Sequence, residues 1–364
     1  VIEFNAVLTN NASSYIQTNT GALTFNAALS ANNGYIFVNA GTASTTNTFT
    51  NGVGAFFDLG SGTVTSTNTF TNEGTITGGT GTFDAQAAYV SVAGTFTNGT
   101  SLFKVSGAGD RNLQLANAYR FQNNVTGNGV VTMLKNLTIT NTYDSVGANT
   151  LNANTFVLDL NGVTNIGLNT VVTSTTGTIN FTNTVGNVGK IGTLSGNLLF
   201  TNVLTNTGEI HVGSGNASTT GALAAFNNNA GGTLFLETGH TTSTVTLTNT
   251  SGIINGGESG TLDLNDANLV DVGGTFTYLG STLVLSGTSD VALPSYGYFN
   301  LTASKTSNGT ITTGGSMNVY GALTITDSTH FETNGYALNA MGTTNITAST
   351  AFVNTFVKRR LPDK

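Results

Sequence analysis

Two octapeptides 21 residues apart constrain this chain more than any other feature. Ser44-Thr-Thr-Asn-Thr-Phe-Thr-Asn51 and Thr65-Ser-Thr-Asn-Thr-Phe-Thr-Asn72 agree at six of eight positions. The Phe-Thr-Asn kernel returns at Phe96, Phe181 and Phe200, and Leu-Thr-Asn occurs at Leu8, Leu204 and Leu247. A self-similarity near 20 residues is the mark of a solenoid, whose units bury their apolar faces only by stacking. Within each unit the pattern has period two. Thr-Phe-Thr (48–50, 69–71, 95–97, 275–277) and Thr-Ile-Thr (75–77, 138–140, 310–312, 324–326) send apolar side chains to one face of a strand and Thr to the other.

Charge supports the same reading. Only 7% of residues are charged, against about 25% in ordinary domains. In-register stacking sets like beside like; Asn and Thr ladders gain from this, whereas like charges repel. Good helix formers are scarce, while Asn and the 47 Gly supply turns. The fold class expected is therefore all-β, a parallel β-solenoid (β-helix) with about 20–25 residues per coil and about 16 coils. The alternative, tandem β-sandwich domains, calls for hairpins and units of about 100 residues. Residues 1–355 are expected to form a single continuous solenoid module. Residues 356–364 read as a basic tail or linker, in which Lys358, Arg359 and Arg360 are the expected interface residues.

Function classes are narrowed by what the sequence contains. A net charge of −7 argues against nucleic acid, which favours a basic face. No window approaches the ~18 apolar residues of a membrane-spanning helix. With no Cys there is neither a disulfide framework nor a thiol nucleophile. The first residues show no basic-then-apolar leader, so an exported form is expected to have lost it. Gly-rich phosphate loops and a Gly-x-Ser-x-Gly elbow are missing.

The best acidic constellation is Asp263-Leu-Asn-Asp266 followed by Asp271. Such carboxylates suit acid–base work on sugars, or Ca²⁺, for which these three are weak candidates. The bland reading puts them on solvent-facing strands and a turn. Sugar-cleaving solenoids usually carry a basic residue near the acids, and no Lys or Arg lies between Lys190 and Lys305. Gly78-Gly-Thr-Gly-Thr-Phe-Asp84 is similar to a calcium-binding nonapeptide, with its Asp one position late. His211, His240 and His330 are isolated and read as single histidines on strands. The expectation is a protein with no catalytic residues and no cofactor.

Two segments carry a resemblance. Asn11-Ala-Ser-Ser-Tyr-Ile-Gln-Thr-Asn-Thr-Gly-Ala-Leu23 and Ser349-Thr-Ala-Phe-Val-Asn-Thr-Phe-Val-Lys-Arg-Arg360 resemble parts of very large repetitive surface proteins of Bacteroidota. These are similar to the β-helical passengers of filamentous haemagglutinin-like adhesins. In that family pattern Tyr15 and Phe352 would be equivalent positions at module junctions. The resemblance implies export, β-helical structure and a surface role without catalysis. The function expected is a structural cell-surface or extracellular fibre or adhesin module that polymerises end to end. Its partners would be other copies of itself, adjacent modules of a longer chain, or surface glycans. The alternative is a polysaccharide-active β-helix lyase or hydrolase.

Overall fold

The structure is a computed structural model that describes residues 1–27, 31–221, 225–306, 309–326, 329–346 and 356–359. Among these residues there is no helix. Short strands pair in parallel and wind into about 16 turns of a β-solenoid. Tandem β-sandwiches fall away, because their hairpins would pair antiparallel. Turn length varies: Leu102 lies opposite Arg120, whereas Asn216 lies opposite His240. The shortest turns therefore undercut the expected coil length. The chain divides into two compact units, Val1–Asn180 and Phe181–Lys364.

In the first unit a regular turn carries three strands, as in Thr63–Ser66, Phe70–Asn72 and Thr75–Thr77. The repeated octapeptides lie directly against each other, Ser44 opposite Thr65 and Phe49 opposite Phe70. The period-two pattern holds: Val64, Phe70 and Ile76 are wholly buried, while Thr65, Thr69, Thr71 and Thr75 between them are half-buried. Like stacks on like inside as well. Phe49 and Phe70 ring centroids are 4.9 Å apart, and Phe83, Phe103, Phe121 and Tyr143 form a second stacked column on a different strand. Each such ring contributes roughly 1.5–3 kcal/mol by leaving water.

Asn, which its polarity would place outside, forms the second axis of the core. Asn10, Asn32, Asn51 and Asn72 are buried. Each Nδ2 donates to the next Oδ1, at 2.7, 2.8 and 2.9 Å. The remaining amide hydrogens reach the carbonyls of Tyr35, Phe56, Thr75 and Thr95. Burial costs little because every step of the ladder is hydrogen-bonded. The ladder also explains a glycine. A Cβ on Gly74 would strike the carbonyl oxygens of Gly52 and Ala55 and crowd Asn51 Nδ2.

The second unit repeats these devices. Asn187, Asn206, Asn228 and Asn249 form a ladder with steps of 2.7, 2.8 and 2.8 Å. Phe181 and Phe200 stack at 4.8 Å, and Thr219 bonds Ser243 at 2.6 Å. The same tripeptide also serves elsewhere. In Phe181-Thr-Asn183 and Phe200-Thr-Asn202 the Asn oxygen accepts the next backbone N–H instead of joining the ladder. Residues expected to begin a basic tail form the strand Phe356–Arg359, with Lys358 opposite Asn339 and Arg359 opposite Ala340. Arg360 and Phe352 lie outside the described residues. No described helix is long and apolar enough to cross a membrane.

Candidate functional site: a polar station in each unit

Of the three acidic candidates of the second unit, two stay beside one lysine and the third does not. Asp263 lies on the strand Thr261–Asn265 and accepts the Ser286 hydroxyl at 2.6 Å. Asp266 follows that strand with φ +59, a left-handed turn position that Asp tolerates. Its Oδ1 accepts the backbone N–H groups of Thr288 and Ser289 at 2.5 and 2.6 Å. Those bonds, Ser289 foremost, hold the carboxyl below its usual range against the opposing effect of burial. Asp271 stands apart: it is exposed and accepts the N–H of Gly274 at 2.7 Å.

The fold brings a base to these acids from farther along the chain. Lys305 Nζ donates to the Ser286 carbonyl at 2.5 Å and lies 3.9 Å from Asp266 Oδ1. The lysine side chain is completely buried. Desolvation pushes its pKa down, while Asp266, Asp263 and Asp290 pull it up. Sequence reasoning missed it because Lys305 and Asp266 are far apart along the chain. At about 20 residues per turn that separation is two turns, so laying the chain out by its own period brings the two together.

An Arg does the corresponding work in the first unit. Arg111 is only 6% exposed. Its guanidinium donates to the carbonyls of Ser106, Ala108 and Gly109. Buried Asp84 accepts the Ser106 hydroxyl at 2.6 Å and lies 3.4 Å from Lys104 Nζ. Burial lowers the Arg111 pKa, and Asp84 and Asp110 oppose the shift. Beside this station is an open cleft of about 420 Å³ lined by Ala87, Ala88 and Ala108 together with Gln86, Asp110, Arg111 and Asn112. Apolar surface edged by amides and a carboxylate suits the mixed CH and OH faces of a sugar ring.

Two further clusters were not legible in sequence. His211 sits between carboxylates, Nε2 to Glu209 at 2.9 Å and Nδ1 to Glu237 at 2.7 Å, with its ring 4.3 Å from that of Phe235. The His211 bond pulls the Glu209 carboxyl below its usual range, assisted by Lys190. His240 pairs with Asn216 and His330 with Thr310, so the fold does not bring these histidines together at one strand pair. Tyr15, Tyr35, Phe37 and Phe56 form a surface stack, and Tyr15 is 68% exposed.

Among the described residues no group of three or more His, Asp or Glu side chains is arranged to hold a metal ion. Asp263 and Asp266 instead bond the chain's own hydroxyl and amide groups. The arrangement is therefore an internal ionic staple: carboxylates tie one turn to the next, and a buried cation balances them. No protein-family model, curated protein or solved structure matches this chain.

Proposed function

We propose that this chain is a structural or adhesive module of a cell-surface or extracellular fibre. The observation that carries the reading is the pair of buried Asn ladders, which tie successive turns together along the winding axis. Turns held by backbone pairing, amide ladders and stacked rings suit a protein whose work is to hold a shape. Among the described residues, Ile2–Phe4 pairs on one edge with Ala22–Phe25. The cleft beside Arg111 and the ring stack at Tyr15 are the surfaces offered to surface glycans. Immunogold labelling of intact cells tests the reading: label on the surface or on shed fibres supports it, and label confined to the cell interior overturns it.

One observation favours the polysaccharide-active alternative, namely Lys305 lying close to Asp266. On that reading Asp266→Ala abolishes turnover of a polysaccharide while leaving stability unchanged. On the structural reading the same substitution lowers the melting temperature, because Thr288 and Ser289 lose their acceptor.

A further inference from the structure

The two units share more than a fold. Gly94-Thr-Phe-Thr97 and Gly274-Thr-Phe-Thr277 are identical tetrapeptides, set about half the chain apart. Each follows an Asn ladder of four members, which ends at Asn72 in one unit and at Asn249 in the other. Ser106-Gly107 and Ser286-Gly287, Asp110 and Asp290, Leu113 and Leu293, and Thr126 and Thr306 all keep the offset of the tetrapeptides.

The bonds correspond as well as the letters. Ser106 and Ser286 each donate to an Asp one turn earlier, Asp84 or Asp263, both at 2.6 Å. Asp110 accepts the N–H of Val130 at 2.9 Å, and Asp290 that of Thr310 at 2.7 Å. The hydroxyls of Thr126 and Thr306 reach the carbonyls of Gly107 and Gly287 at 3.2 and 3.3 Å. Strand register agrees too: Leu102 lies opposite Arg120 and Thr282 opposite Asn300.

The cation breaks the correspondence. In the first unit it comes from Arg111, whose counterpart at the same offset is Val291, buried at 1% exposure. In the second it comes from Lys305, whose counterpart is Val125, buried at 0%. Yet both cationic heads end on the same acceptor, the Ser106 carbonyl in one unit and the Ser286 carbonyl in the other. Both stand among carboxylates, Asp84 and Asp110 in one unit and Asp266, Asp263 and Asp290 in the other, where Asp266 takes the place that Gln86 holds in the first.

We infer that the two units are copies of one building block the length of the first unit, and that each block contains a site for one organic cation, filled from position 111 in the first copy and from position 305 in the second. The site is defined by the serine carbonyl and the flanking carboxylates, not by the position that supplies the charge. A block with neither cation would leave the serine carbonyl without its cationic donor, and a block with both would crowd two cations against one carbonyl. The Arg/Val and Val/Lys exchange satisfies both limits. This inference stands independently of the fibre reading.

Transplanting the charge tests it. Arg111→Val should lower the melting midpoint by about 5–15 °C, as expected for removing one partner of a buried ionic group. Adding Val125→Lys to that variant should recover most of the loss, whereas Val125→Met should not. The reciprocal pair, Lys305→Val with Val291→Arg, should behave alike. If R111V does not accumulate folded, recovery of soluble protein by V125K but not V125M reads the same effect. Failure of both lysine and arginine transplants to rescue, or equal rescue by Met, would overturn the inference.

Discussion

Asn51 donates both amide hydrogens to the next turn, one to Asn72 Oδ1 at 2.9 Å and the other to the Thr75 carbonyl at 3.2 Å. Its own oxygen accepts from Asn32 at 2.8 Å. Removing it strands a donor on one side and an acceptor on the other. Asn51→Ala should therefore cost about 2–4 kcal/mol in chemical denaturation. A loss under about 1 kcal/mol would mean that the ladder carries little of the fold.

Asn51→Asp makes a sharper test because its effect depends on pH. A buried carboxyl in this site can donate only when protonated, so burial raises its folded pKa above the unfolded value of about 4. The folded state then binds the extra proton. Relative to wild type, the variant should be least stable at neutral pH and regain stability as pH falls toward about 4. A difference from wild type that does not change with pH would contradict the ladder's geometry.

Phe70 stacks on Phe49 at 4.9 Å and meets Phe83 edge-on at 5.0 Å, with no exposure. Phe70→Ala should cost about 3–5 kcal/mol, whereas Phe70→Leu should cost less, since it refills part of the cavity. Equilibrium unfolding of the two variants separates cavity formation from a local surface effect.

Acid should weaken the second unit through two carboxyls held below their usual range, Glu209 by His211 and Asp266 by the backbone of Ser289 and Thr288. For a depressed carboxyl the stabilisation is present above the unfolded pKa and is lost as pH falls through the folded one. Stability should thus decline below about pH 4. The double substitution Glu209→Gln and Asp266→Asn should flatten that decline in melting curves recorded from neutral pH down to about pH 3.

What could be read from the sequence follows from what parallel stacking preserves. The 21-residue repeat became direct strand pairing because each turn presents the same residue type to the next, so Phe49 meets Phe70 and Asn51 meets Asn72. The interior position of Asn51 was hidden, because Asn is usually exposed and the reason to bury it exists only when the next turn supplies a matching amide. Lys305 and Asp266 illustrate a second limit. Their proximity depends on two turns of irregular length, and degenerate spacing obscures such a sum even though each local strand is legible. Arg111 gave no local signal at all, since nothing in Asp110-Arg111-Asn112 distinguishes a buried guanidinium from a solvated one.

Electron microscopy of the purified chain across a concentration series, with diffraction from aligned material, tests end-to-end joining most directly. The expected result is filaments that lengthen with concentration and show an axial spacing of about 4.8 Å, the separation of stacked strands. Discrete particles whose length does not change with concentration would contradict it.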